Sequence, residues 1–181
     1  MSIKWQQVIW GSIIVILLGL IGSSLYYLLG GFEEVQVYEV PAEKRNIVGR
    51  YFRGYYAHPD LESIWHETLQ LIEDGSLSGE LVVVNYQNDS LDNDEVEQFI
   101  GVSLTGGMAE IPTGYDVLEI NGTKKLAVFL SMHPLVRPNP LTVEEMFAGY
   151  AEEKGLELEK MTLEVHFQDN SMSIETPIGG Y

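Results

Sequence analysis

The sequence predicts an α+β fold: two strand-helix-strand-strand units, related by a pseudo-twofold axis, form antiparallel sheet with helices on one face, preceded by one transmembrane helix. Three observations carry this reading. Residues 5–32 contain no charged side chain, whereas the remainder mixes apolar runs with many acids. In that remainder, extended, helical, extended and extended stretches follow one another, and the same order then repeats. Each helical stretch lies behind a proline and is followed by two extended runs, as in folds whose helices gather on one side of a sheet.

The first element is the apolar run Val8 to Leu29, within which Val8, Ile13, Ile14, Leu17, Leu18, Ile21 and Leu25 supply the membrane-facing surface. A hydrocarbon core about 30 Å thick needs about 20 such residues at 1.5 Å each. Trp5, Trp10, Tyr26 and Tyr27 stand near its two ends, where amphipathic rings favour the headgroup region. Residues 1–32 therefore read as a membrane anchor and 33–181 as one domain. A cleaved signal peptide is the alternative, although its apolar core normally spans about 7–15 residues and only Gly22-Ser23-Ser24 resembles a cleavage site. Lys4 precedes the run while Glu33, Glu34 and Glu39 follow it. By the positive-inside rule this places the domain outside the cytoplasm, in a single-pass cell-membrane protein.

Asn46 to Ala57 is rich in aromatic and β-branched residues and reads as a strand, ended by the turn His58-Pro59-Asp60. Leu61, Ile64, Trp65, Leu69 and Ile72 then fall on one face of a helix, with Asp60 as the expected N-cap and Gly75 beyond its end. Two strands follow, Glu80 to Tyr86 and Gln98 to Leu104, joined by an acidic loop. The second unit begins with Tyr115 to Ile120, the tight turn Asn121-Gly122 and the strand Lys125 to Met132. Its helix follows Pro140, with Thr142 and Glu145 spaced as a capping box and Val143, Met146, Phe147 and Tyr150 as its apolar face. Leu158 to Gln168 reads as an unbroken strand, and Ser171 to Ile178 closes the chain around the turn Asp169-Asn170.

Ten basic residues against 27 acidic ones leave a formal charge of −17, so nucleic acid is an unfavourable partner and cationic small molecules are favoured ones. Cysteine is absent, which excludes disulfides and thiolate chemistry. His58, His66, His133 and His166 have no metal-ligand spacing, and Gln70 stands where a zinc-protease helix would place its second histidine. Neither a phosphate-binding glycine loop nor a nucleophile elbow occurs, so no cofactor and no metal are expected.

Four stretches together resemble the GyrI-like, or AraC effector-binding-like, small-molecule binding domains. Asn46 to Tyr56, with Gly54-Tyr55, is similar to the opening strand. Leu81 to Asp89 with Phe99 to Val102 resembles the central turn and returning strand. Ile120 to Leu130 is similar to the strand before the second helix, and Leu163 to Ile178 to the closing hairpin. The chain departs from the family where Gln87-Asn88-Asp89-Ser90 replaces an aspartate-proline turn, and at His166, where a tyrosine is usual.

That resemblance implies a groove at the pseudo-twofold axis with Glu164 at its centre and aromatic lining for which Tyr51, Tyr55, Tyr86, Phe129 and Phe167 are the candidates. Trp65, Phe147 and Tyr150 are further candidates for the lining, although their places on the apolar faces of the helices suit the core first. A carboxylate on that strand could instead face solvent. The functions left open are binding of a small amphipathic or cationic molecule, hydrolysis of small toxic electrophiles on the same groove, and a membrane-tethered protein-interaction module.

Overall fold

The computed structural model describes residues 3–106 and 110–179, with side chains from Trp10 onward. The chain forms two compact units, Met1–Glu34 with Ser131–Arg137, and Val35–Leu130 with Pro138–Tyr181. In the first, the helix α1 (Ile3–Leu28) contains the stretch Trp10–Leu28, of mean hydropathy 1.9, long and apolar enough to cross a membrane. Ile13, Ile14, Leu17, Leu18, Ile21 and Leu25 are all exposed on it, while Val8 lies in the helix with its side chain outside the described part. Gly30, at φ 80°, ends the helix by donating to the Tyr27 carbonyl.

The second unit holds β1 (Tyr38–Pro41), β2 (Arg45–Tyr55), α2 (Pro59–Glu73), β3 (Gly79–Tyr86), β4 (Glu95–Leu104), β5 (Asp116–Ile120), β6 (Lys124–Leu130), α3 (Pro140–Lys154), β7 (Glu157–Leu158), β8 (Met161–His166) and β9 (Met172–Gly179). These strands form one antiparallel sheet in the order β1-β6-β9-β8-β3-β4-β2-β5, with β7 paired to β9. The order states the predicted symmetry directly. The first strand-helix-strand-strand repeat contributes β2, β3 and β4, the second repeat contributes β6, β8 and β9, and the two halves of the sheet meet where β3 pairs with β8. The same sequence interval separates His58 from Asn139, Pro59 from Pro140 and Val83 from Glu164. Val83 and Glu164 are also direct cross-strand partners, so the pseudo-twofold axis runs through that pair. The edge strands are exchanged: β1 precedes β2 but pairs with β6, and β5 precedes β6 but pairs with β2.

Strand alternation divides the core. Phe52, Leu81, Val83 and Ile100 face α2 and pack with Ile64, Leu61 and Trp65. Ile47, Val82, Val84, Phe99, Leu163 and Val165 face the other way and are buried together. Arg45 of β2 lies 3.1 Å from Glu175 of β9, although four strand steps part those strands in the sheet. A flat sheet would hold them roughly 19 Å apart. The sheet therefore curls about the face opposite the helices, and Lys125, on the neighbouring strand β6, adds a second ion pair to the buried Glu175 at 2.6 Å.

Several local expectations are corrected. The N-cap of α2 is His58, whose Nδ1 accepts the Asp60 amide, because Pro59 takes the first helical position. Asn139, not the Thr142–Glu145 box, caps α3, its Oδ1 accepting from the Thr142 amide at 2.8 Å. The run from Leu158 to Gln168 is broken at Glu159-Lys160, where the backbone turns to bond Pro177 and Gln87. The edge strand β1 carries too few apolar residues to announce itself.

Candidate functional site

A groove of about 870 Å³ opens between α2 and α3 on the outer face of the curled sheet. Val83 and Asn85 of β3, Gln98 and Ile100 of β4, and Glu164 of β8 make its floor. Leu61, Glu62 and Trp65 form one wall, and Leu141 and Glu144 the other, with Tyr56, His58 and Asn139 at the helix entries. Pseudo-symmetry explains why both helix N-termini open on the same space. It also explains the polarity of the floor, since the axis pairs an apolar residue, Val83, with a carboxylate, Glu164.

Glu164 is held by a chain of amides. Gln98 donates through Nε2 to Asn85 Oδ1 at 2.7 Å, which turns the Asn85 amino group toward Glu164 Oε1 at 2.8 Å. The other oxygen, Oε2, lies 3.8 Å from His166 Nε2, and the His166 ring meets Trp65 edge-on at 5.1 Å. The Glu164 side chain keeps 19% of its exposure. Burial raises its pKa above the ordinary carboxylate value; the Asn85 hydrogen bond opposes that rise and the nearby Glu144 charge adds to it. Glu144 is itself tied to the floor, its Oε1 accepting from the Thr162 hydroxyl at 3.2 Å.

Of the residues expected at the site, Glu164 lines this groove. Tyr51, Tyr55, Tyr86, Phe129 and Phe167 do not, and strand parity is the reason for the first three. Tyr51 and Tyr55 share the odd-numbered face of β2 with buried Ile47, which points away from the helices. Tyr86 packs on that same inner cluster, its ring tilted against that of Tyr51 with centroids 6.5 Å apart, while Tyr51 donates to Glu97 at 2.7 Å. Phe167 packs on the inner cluster too, with Phe129 5.9 Å from it. Trp65, a lining candidate expected in the core first, packs on the helix-facing cluster and is also the large ring of the groove wall.

Sequence reasoning missed Asn85, Gln98, Glu144, Asn139, Tyr56 and Leu141. Asn85 had a readable signal, a lone amide closing the apolar run Leu81 to Val84, but its face could not be read because that run is buried on both sides. Glu144 and Leu141 lie on the outer flank of α3 and become lining only when the helix is set beside β8.

No family model and no curated protein matches the chain. Solved structures do. EcmrR in its complex with DNA is similar with a TM-score of 0.56 at 12% identity, covering 99% of this chain and 72% of that one. The C-terminal domain of EcmrR is similar with a TM-score of 0.51 at 12% identity, over 82% of this chain and 98% of that domain. A hydrolase from Listeria innocua is similar with a TM-score of 0.51 at 10% identity, over 81% and 92% respectively. Likeness at such identities establishes the fold, an α+β arrangement consistent with the GyrI-like resemblance of the sequence.

Proposed function

We propose that this chain is a membrane-tethered binding domain for a small amphipathic cation, which lies in the groove between α2 and α3 with Glu164 as its counter-charge. The observation that carries this reading is the setting of Glu164. It is mostly buried, held by one amide donor, and surrounded by Leu61, Trp65, Val83, Ile100 and Leu141, with no Lys or Arg in the lining. Removing a carboxylate from water is costly unless a cation accompanies it. A ligand that brings a positive charge and an apolar body supplies both needs, and the ring of Trp65 adds an attractive face. The apolar stretch of α1 supports the tether, and residues 1–32 serve as the anchor of the domain that follows.

The test uses tetraphenylphosphonium with the full-length protein in detergent. Isothermal titration and thermal shift should both detect binding, and Glu164→Gln should weaken it about tenfold or more. Equal affinity in the two proteins would remove Glu164 from the site.

Hydrolysis of small electrophiles on the same groove is the second reading, supported by the raised pKa of Glu164 beside His166, a pairing suited to activating water. A reactive epoxide consumed by the wild type and untouched by Glu164→Gln would favour it over binding alone.

A further inference from the structure

Building on the groove as a cation site, we infer that it selects a dication bearing N–H donors, an amphipathic diamine, with Glu144 as the second counter-charge.

Besides the exposed Glu62, which lies 3.7 Å from His66 on the same helix, the floor and walls hold two carboxylates, not one. Glu144 accepts from Thr162, and Thr162 stands two residues from Glu164 on the same face of β8. At 3.3 Å per strand residue, the Cα atoms of Thr162 and Glu164 are roughly 7 Å apart, which brings the Glu144 carboxylate, bonded to Thr162, near that of Glu164. Their mutual repulsion is one of the causes that raise the pKa of Glu164. Among the described residues, neither lies within ion-pair distance of a Lys or Arg. Each takes one side-chain hydrogen bond from the protein, whereas an ionised carboxylate has about four acceptor sites.

The rest of the lining also accepts more than it donates. Pro59 and Pro140 bring no N–H to the two helix entries. His58 Nδ1 takes the Asp60 amide, and its carbonyl takes that of Leu61. Asn139 does the same for Thr142 and Val143. The helix ends that would otherwise invite an anion are thus largely satisfied internally. The Asn85 amino group is committed to Glu164, and the Gln98 amino group to Asn85. A quaternary cation, which cannot donate, leaves each carboxylate with only its one hydrogen bond from the protein, and the groove offers few ring faces in compensation because the inner-face aromatics lie elsewhere. Two ammonium groups joined by an apolar spacer answer each feature, one at Glu164, one at Glu144, and the spacer against Leu61, Trp65 and Leu141.

The test compares benzylamine, 1,4-bis(aminomethyl)benzene and tetraphenylphosphonium by titration against the full-length protein in detergent, with wild type, Glu144→Gln and Glu144→Asp. The diamine should bind the wild type at least about tenfold more tightly than benzylamine. Glu144→Gln should lower the affinity of the diamine about tenfold more than that of tetraphenylphosphonium, and Glu144→Asp, which keeps the charge, should restore the preference. Ligand-free melting of each variant confirms folding. Equal binding of diamine and monoamine by the wild type, with tetraphenylphosphonium still bound, overturns this inference alone. Failure of all three probes overturns the groove as a cation site, and the inference with it.

Discussion

At the scale of single residues, Glu164 and Asn85 form a unit whose parts should fail differently. Because the folded-state pKa of Glu164 is raised, its neutral form fits the fold better than its charged form. The stability this contributes is full below the unfolded carboxylate pKa of about 4.3 and lost as pH rises through the folded value. Glu164→Gln fixes the neutral form at every pH. Ligand-free Glu164→Gln should therefore melt above the wild type at pH 7, with the difference closing near pH 4. A wild type that melts higher at pH 7 would mean that Asn85 and His166 together outweigh desolvation and the Glu144 charge. Asn85→Ala removes the donor and leaves the carboxylate buried alone, for a loss of roughly 1–3 kcal/mol at pH 7 by denaturant melting. Combined with Glu164→Gln, that loss should shrink, since a neutral amide is cheaper to leave unpaired. An unchanged loss in the double variant would show that Asn85 acts on something other than Glu164.

At the scale of elements, the sheet depends on a close approach between β2 and β4. Gly49 and Gly101 are direct partners, and a Cβ on Gly49 would stand 2.3 Å from the Ile100 carbonyl oxygen and 2.7 Å from the Gly101 Cα. Backbone cannot yield as a side-chain tip can. Gly49→Ala should cost about 1–3 kcal/mol or more in denaturant melting, and a neutral result would show that the two strands can separate locally without loss. These elements were legible where their pattern was one-sided. The helix α2 showed Leu61, Ile64, Leu69 and Ile72 because only one face is buried, and the closing hairpin showed its turn at Asp169-Asn170, where Asn170 has φ 63°. The buried runs of β3 and β4 concealed their faces, since both sides of the sheet are covered. Glu164 was therefore reached through family resemblance, whereas Tyr51, Tyr86 and Phe167, named with it, lie on the inner side of the curl. The groove was illegible for a related reason: its lining comes from two helices and three strands that meet only after pseudo-symmetric folding.

At the scale of the whole molecule, the question is what α1 does for the acidic domain of a chain whose formal net charge is −17. Surface electrostatics cannot hold such a domain to an anionic bilayer, because the charges have the same sign. Any firm attachment must come from the apolar stretch Trp10–Leu28, whose backbone groups are satisfied within the helix as a bilayer demands. The full-length protein should therefore co-sediment with vesicles containing phosphatidylserine, and should stay with them through a wash in about 1 M salt, where the Debye length is about 3 Å. The fragment 35–181 should remain in the supernatant. All of the groove's lining residues belong to the second unit, so a fragment that folds should bind tetraphenylphosphonium as the full chain does. The two readouts are independent. Release of the full chain by salt would end the anchor reading while leaving the groove untouched. Loss of ligand binding in a folded fragment would make the first unit part of the binding machinery.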